Sequence, residues 1–320
     1  MKKTGMLLAL GLAMGTAVAQ AGGGARNQPT PEGTVSTNVS FPIESIVHAT
    51  YSDQQCAGFV EKQKLPDASY VSGGLDTPNT AQYAGGDLIF LSGKNYELGK
   101  VYRIVRELHD PNRFEEFDGQ ASILKAMGQP YAELAMVRVV DTRSKSTIAH
   151  IEFSCAPVVP GDLVTTFVDR PALPIHAAIR FDRFAPPNGK ASGRIVMAKD
   201  FDAELGTGRK VYMNLGSNQG VKVGDYLRAV RGYEADLHNP VDSLSFKAST
   251  AEDTQARPPS IEQSAMNRST GPNIRVAAFP RRAVGEILIL ETTPTTSTGM
   301  IVFAMEDLHL GDGVELDPQE

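Results

Sequence analysis

Two cysteines, Cys56 and Cys155, are the only thiols in the chain. In an oxidising compartment they would form one disulfide, and closing a loop of about 100 residues would contribute on the order of 4–5 kcal/mol. Two buried free thiols are the alternative, since unpaired cysteine is among the most buried residue types. We favour the disulfide because the first residues of the chain predict export. Two thiols exclude both a four-thiolate zinc site and a disulfide-dense scaffold.

The sequence contains no motif for nucleotide binding or nucleophilic catalysis. It has neither a Gly-x-x-x-x-Gly-Lys-Ser/Thr loop nor a Gly-x-Ser-x-Gly elbow. The histidines lie far apart, without the spacing of metal ligands: His48, His109, His150, His176, His238 and His309. We therefore expect a protein without enzyme activity, cofactor, metal ion or nucleotide.

The charge balance argues against a nucleic-acid-binding protein. Lys and Arg number 31 against 37 Asp and Glu, which gives a formal net charge of −6. A phosphate backbone requires a basic excess instead. Several arginines could form a basic stripe, but we expect them to be solvent-facing charges of strands: Arg103, Arg106, Arg228, Arg231, Arg281 and Arg282.

The chain contains an internal repeat of short β-type segments. At 320 residues it has room for about two domains. Blocks at 86–91, 99–106, 137–140, 149–153 and 161–164 recur in the same order at 210–215, 224–231, 287–290, 300–303 and 311–314. Apolar residues alternate with polar ones in several blocks, which is typical of half-buried strands. The sequence therefore predicts a mainly β fold of two repeated small β-barrel or sandwich-like domains with long loop insertions.

Glycine, asparagine and aspartate mark the predicted turns. Asn214, Gly216, Asn218 and Gly220 lie between two predicted strands, and Gly99 holds a similar place in the first copy. Glycine adopts positive φ freely, and asparagine tolerates it or bonds its own backbone. Gly-Asp pairs precede strands, where we expect each carboxylate to accept from turn amides: Gly86-Asp87, Gly161-Asp162, Gly224-Asp225 and Gly311-Asp312. An acidic or calcium site is the alternative, although the alternating oxygen ligands of a calcium loop are missing.

The beginning of the chain predicts export. A positively charged start, an apolar run of about 14 residues and a small-residue cleavage site are typical of a signal peptide. No later apolar run approaches the length of a membrane span. We expect a signal peptide at 1–21, a flexible leader at 22–45, a first β domain at 46–170, a linker at 171–193 and a second β domain at 194–317, with insertions at 107–134 and 233–282. The mature protein is expected in the periplasm or cell envelope, without a membrane span.

The run 211–225 resembles the C-terminal domain of the flagellar assembly protein T family. That domain has an apolar strand, an Asn-x-Gly-x-x-x-Gly-Val turn and a Gly-Asp pair before another strand, as residues 214–225 do here. The resemblance covers roughly 195–316, with a weaker echo over 84–168, where the turn at 92–99 is shorter and lacks the Gly-Val pair. It implies a small envelope β-domain that packs against partner proteins, and by itself it implies no flagellar role.

These features predict a non-enzymatic envelope protein that acts as a structural or protein-interaction module, with a role in assembling an envelope machine. The expected partners are envelope proteins, reached through the two insertions and through exposed sheet edges. Peptidoglycan is the alternative partner, because the chain also looks like exported proteins labelled as peptidoglycan-binding. A glycan site needs exposed aromatic residues, and without tryptophan the substitutes are Tyr70, Tyr83, Tyr96, Tyr102, Tyr131 and Tyr233. A hydrolase is the further alternative.

Overall fold

The computed structural model describes residues 46–77, 81–112, 114–170, 173, 181–232 and 279–317. The predicted signal peptide and leader, most of the linker and most of the longer insertion lie outside these residues. Among the residues described, no helix is both long and apolar enough to cross a membrane.

The first half of the described chain forms a closed β-barrel. Its elements are α1 (Tyr51–Gln55), β1 (Phe59–Glu61), β2 (Tyr70–Gly74), β3 (Leu88–Ser92), β4 (Val101–Glu107), α2 (Gln120–Met127), β5 (Gln129–Asp141), β6 (Thr147–Ser154) and β7 (Leu163–Thr166). Neighbouring strands follow the order β5-β4-β7-β2-β3-β6, and β6 pairs with β5 to close the barrel. β1 lies outside this barrel and pairs with the beginning of β5.

The second half forms a second closed barrel. Its elements are β8 (Ser192–Ala198), β9 (Glu204–Leu205), β10 (Lys210–Met213), β11 (Tyr226–Arg231), β12 (Arg282–Thr292), β13 (Ser297–Ala304), β14 (Leu308–His309) and β15 (Gly313–Leu316). The barrel order is β12-β11-β15-β8-β10-β13, and β9 pairs with β14 beside it. Strand for strand this is the order of the first barrel, so the predicted mainly β fold of two repeated barrels is confirmed.

Alternating residues separate the inside of each barrel from its outside. On β3, Ile89 and Leu91 are buried in the first core, while Leu88, Phe90 and Ser92 between them are half-buried on the outer face. The second core is filled in the same way by Val211 and Met213 of β10 and their neighbours. Both cores are apolar and continuous, which is what closure of a small barrel requires.

The outer face of β12 is also buried, unlike that of its counterpart β5. Leu288 and Leu290 of β12 pack with Ala57 and with the partly buried Ile46 and Ala49 from the beginning of the described chain. The equivalent outward positions on β5 are Arg138 and Val140, both exposed. Residues 46–61, which we name the strap, therefore contact the second barrel although the sequence groups them with the first.

The first insertion also joins the two barrels. It contains α2, with Met127 buried against Val196 and Met197 of β8. The Gln120 side chain donates to the carbonyl oxygen of Val196 at 2.9 Å. One face of this insertion is therefore occupied inside the molecule.

Closure of both barrels also corrects the expectation of exposed sheet edges, since it pairs both edges of the barrel strands.

Candidate functional site: the joint between the barrels

The strap is covalently attached to the first barrel. Cys56 and Cys155 form a disulfide with an S–S distance of 2.03 Å, across 99 residues of sequence. This confirms the predicted pairing. α1 immediately before it is held by a capping box, in which the Thr50 hydroxyl accepts from the Asp53 amide and the Asp53 carboxylate accepts from the Thr50 amide. Within the strap, the chain therefore leaves α1 in a defined direction and continues into β1.

The other side of the strap binds the second barrel through polar contacts. Side chains of the second barrel donate to it: Lys210 Nζ to Asp53 Oδ1 at 2.9 Å, Lys199 Nζ to the Cys56 carbonyl at 2.7 Å, Thr298 Oγ1 to the Gly58 carbonyl at 2.9 Å and Thr296 Oγ1 to the Val60 carbonyl at 3.3 Å. The Val47 amide of the strap also donates to the Val302 carbonyl at 3.0 Å. β1 is thus paired with β5 on one side. On the other side, the carbonyl oxygens of Gly58 and Val60 accept from the hydroxyls of Thr298 on β13 and of Thr296 just before β13. Burial lowers the pKa of Lys199, and the nearby Lys210 lowers it further.

Four charged side chains meet where the strap, both barrels and the end of the first repeat come together. We name this set the charge cluster: Arg103 of β4, Glu133 of β5, Arg170 after β7 and Glu291 of β12. Arg103 and Arg170 donate to Glu133 at 2.7 and 2.6 Å. Arg170 also pairs with Glu291. Two carboxylates and two guanidinium groups thereby balance each other's charge.

Glu133 is the most deeply buried member of the cluster, with a side chain 3% exposed. Its second oxygen accepts from the Gly58 backbone amide at 3.1 Å and from Arg170 at 3.1 Å. Arg103 also stacks over the Phe59 ring at 4.9 Å. Buried charges are tolerated only when paired and hydrogen-bonded. The cluster meets this condition because its side chains pair across both barrels and the strap adds the Gly58 amide and the Phe59 ring. Its stability therefore depends on the joint being assembled.

Burial changes the pKa values within the charge cluster. It raises the pKa of Glu291 to about 7, with Glu133 acting in the same direction and Arg170 and Arg103 opposing it. Burial lowers the pKa of Arg170, but the carboxylates of Glu291 and Glu133 outweigh this effect and the net pKa is raised. These four side chains therefore bind one another at the joint.

A second buried carboxyl, Glu286, lies on the outside of β12. It is 1% exposed and its Oε2 has no hydrogen-bond partner. Its cross-strand neighbour Arg228 donates instead to both oxygens of Asp317, at 3.0 and 2.9 Å. Burial therefore raises the pKa of Glu286 to about 7, and Asp317 adds to this while Arg228 opposes it.

Glu286→Gln is expected to remove part of the pH dependence of stability. The folded pKa of about 7 lies above the ordinary value of 4.5, so folding binds protons between these values and stability falls as pH rises through that window. The wild type should lose up to about 3 kcal/mol from this group, and the glutamine variant should not. Urea unfolding at about pH 5 and about pH 8 measures the difference. An equal variant-to-wild-type difference at both pH values would contradict the explanation.

The Gly-Asp pairs have the same local geometry in both barrels. Each carboxylate accepts from the backbone amide three residues earlier: Asp87 from Ala84, Asp162 from Val159, Asp225 from Lys222 and Asp312 from His309, at 2.7–2.8 Å. The glycines before all four adopt positive φ of 98°, 98°, 91° and 96°: Gly86, Gly161, Gly224 and Gly311. Gly99 is likewise positive at 80°. The aspartates belong to separate turns, each satisfied locally.

Two of these aspartates also bind an arginine that the sequence analysis expects in solvent. Arg106 donates to both oxygens of Asp162, and Arg231 donates to both oxygens of Asp312, at 2.7–2.8 Å. The Arg231 side chain is only 5% exposed, against 40% for Arg106. The expectation of solvent-facing charges is therefore wrong for Arg231 and for Arg103 in the charge cluster. It is also wrong for Arg282, which is 8% exposed and pairs with Glu306 at 3.0 Å. The presence of an arginine does not by itself show whether other parts of the chain will cover its strand.

The Gly/Asn turn before β11 is built by close approach as well as by positive φ. Gly220 has φ of 88°, whereas Gly216 is extended at −136°. Asn214 does not bond its own backbone; its Oδ1 accepts from the Arg194 amide of β8 at 2.6 Å. Asn218 lies in the 3₁₀ turn Ser217–Gln219, where its amide donates to the Pro294 carbonyl at 3.0 Å. This turn is thereby tied to the loop between β12 and β13.

Gly216→Ala is expected to destabilise the second barrel by about 1–3 kcal/mol, the usual cost of overpacking. An added Cβ would lie 2.5 Å from both the Thr293 carbonyl oxygen and the Thr296 amide nitrogen. Gly206→Ala is the matched control, because an added Cβ there meets no atom within 4 Å. Thermal unfolding of both variants decides the matter, and an equal loss of Tm in the control would contradict the close-approach explanation.

The chain matches no family model and no curated sequence. No group of three or more His, Cys, Asp or Glu side chains suited to holding a metal ion occurs in the part of the chain that the structure describes.

Proposed function

We propose that the protein is an exported, non-enzymatic component of the cell envelope that acts as a structural or protein-interaction module. The joint is the observation that carries this proposal. A strap, a disulfide and a buried charge cluster fasten two closed barrels into one body, and the charged groups are engaged with each other. A surface that is already ordered binds a partner without the cost of ordering loops and side chains. Assembly of an envelope machine is the role we propose for such a body.

Two features support export. Disulfides persist in oxidising compartments and are rare in the cytosol, and the Cys56–Cys155 bond is present. The signal-peptide pattern of the first residues points the same way, although it lies outside the described residues. The resemblance to the flagellar assembly protein T domain agrees with an envelope location and stays a hypothesis about relationship.

Peptidoglycan binding is the second candidate, and the positions of the tyrosines count against it. Tyr83, Tyr102 and Tyr131 are buried in the first half of the molecule, and Tyr96 is half-buried. Tyr70 is exposed, and Tyr233 lies outside the described residues. Of the five described tyrosines in this set, Tyr70 alone is thus exposed enough to stack on a sugar. In the residues that the structure describes, no observation favours a hydrolase.

In-cell crosslinking tests the proposed function. A photo-crosslinking amino acid at Phe114, which is 85% exposed in the first insertion, should capture a discrete set of envelope proteins from cells expressing the chain at native level. The matched control is the same amino acid at Leu98, which is 68% exposed and outside the insertion. Isolated peptidoglycan serves as a parallel pull-down. Retention on peptidoglycan with no crosslinked protein would overturn the interaction-module proposal and favour the glycan-binding one.

A further inference from the structure

The outer surface of the first barrel carries an uncharged apolar face across β2, β3 and β6. On these strands Val71, Ile89, Leu91 and Ala149 point into the core, so the residues alternating with them point outward. We name the outward set the apolar face: Tyr70, Leu88, Phe90 and Ile148 of these strands, together with the exposed Leu75, which follows β2 beyond the β-bulge at Val71–Gly73. Tyr70 is 41% and Leu75 61% exposed, and the other three are half-buried.

Strand pairing makes this face continuous. Phe90 lies opposite Ile148 in the β3–β6 ladder. The Leu75 amide donates to the Leu88 carbonyl at 3.0 Å, which places these two leucines side by side. None of the three half-buried members belongs to the core of the barrel. Large exposed apolar patches on soluble proteins mark binding surfaces.

In the second barrel the strap covers the surface that corresponds to the apolar face. The pairing Phe90–Ile148 corresponds to Tyr212–Thr298 in the β10–β13 ladder, and Leu88 corresponds to Lys210. Thr298 and Lys210 are two of the residues that bind the strap. In the first barrel apolar side chains occupy the equivalent positions. They offer no donors to backbone carbonyls, so this face cannot bind a strap in the same way. It fits an apolar surface instead.

We propose that the apolar face binds a second copy of the chain, so that the outer faces of two first barrels pack together about a two-fold axis. The outward side chains where the three strands overlap include no Asp, Glu, Lys or Arg: Tyr70, Ser72, Leu88, Phe90, Ser92, Ile148 and His150. In a two-fold contact each patch meets its own copy, so a charged patch would repel itself. For a chain of net charge −6, this uncharged face is a surface on which two copies can meet. Packing of two sheet faces has ample precedent in β-sandwiches.

This proposal makes a second copy of the chain the partner of the interaction module. The biological use of the dimer rests on the proposed function, whereas its formation does not. Sedimentation velocity on the full mature chain over a concentration series measures it. The wild type is expected to dimerise, and Leu75→Glu should raise the dimer dissociation constant at least about tenfold by burying an unpaired charge. Leu98→Glu is the matched control, because Leu98 is equally exposed on the first barrel but lies outside the apolar face. Both variants change exposed residues, and circular dichroism confirms that they fold.

Three results would overturn the dimer: a wild type that is monomeric at every concentration, a dimer indifferent to Leu75→Glu, or one weakened equally by Leu98→Glu. A monomeric wild type that still crosslinks to a different protein through this face would assign the face to that protein. The crosslinking at Phe114 described above would stand in all three cases. Failure of the dimer is therefore distinguishable from failure of the proposed function.

Discussion

Replacing Glu133 with alanine is expected to lower the free energy of unfolding by about 3–5 kcal/mol, the usual cost of removing one partner from a buried ion pair. Glu133 is 3% exposed and accepts from Arg103, Arg170 and the Gly58 amide. Its loss leaves two buried guanidinium groups with the single carboxylate of Glu291. Urea unfolding followed by circular dichroism measures the change, and protease sensitivity of the strap reports whether the joint opens first.

Glu152→Ala is the matched control for this experiment. Glu152 also pairs with an arginine, Arg138, but both side chains are well exposed on the outside of the first barrel. Exposed ion pairs contribute little to stability, so the control should unfold close to the wild type. A Glu133→Ala loss no larger than that of the control would show that the charge cluster does not hold the joint.

Removing the disulfide is expected to cost about 4 kcal/mol, because Cys56→Ala with Cys155→Ala frees a loop that the bond closes across 99 residues. The effect arises mainly in the unfolded chain, whose freedom the bond restricts. The folded protein is affected as well, since the strap would then be attached to the first barrel by β1 pairing and side-chain contacts alone. Chemical unfolding of the double variant against the oxidised wild type measures the loss.

Reduction supplies the control for the disulfide. The reduced wild type should unfold like the double alanine variant, and reductant should leave that variant unchanged. Amide hydrogen exchange over residues 50–61 should become faster in the reduced wild type and in the double variant, because these residues are the part of the strap that binds the second barrel. A double variant as stable as the oxidised wild type would contradict the expected effect.

Local patterns were enough to predict the barrels. Ile89 and Leu91 alternate with Leu88 and Phe90, and a side-chain period of two leaves little choice but a strand with one buried face. The recurrence of the same blocks in the same order then predicted two copies of one topology. These inferences succeeded because they rest on neighbouring residues, whose geometry is set by the backbone alone.

The same patterns could not show which outer faces are covered. Arg106 and Arg231 occupy equivalent places and bind equivalent aspartates, yet Arg231 is buried and Arg106 is half exposed. Residues 283–290 form an almost continuous apolar run, and the reason is that the strap packs on the outside of β12. Such coverage comes from segments more than 200 residues away in sequence, so it leaves no trace in local periodicity.

The amino-acid sequence thus determined the elements of this protein: the strands, the turns at the Gly-Asp pairs, the repeat and the pair of cysteines able to bond. The tertiary structure alone decided the joint. Glu133, Arg170 and Glu291 are unremarkable in sequence, and they become a charge cluster only because closure of both barrels brings them together out of water. Burial and pairing are properties of that assembly, and they turn ordinary charged residues into the groups that fasten the molecule.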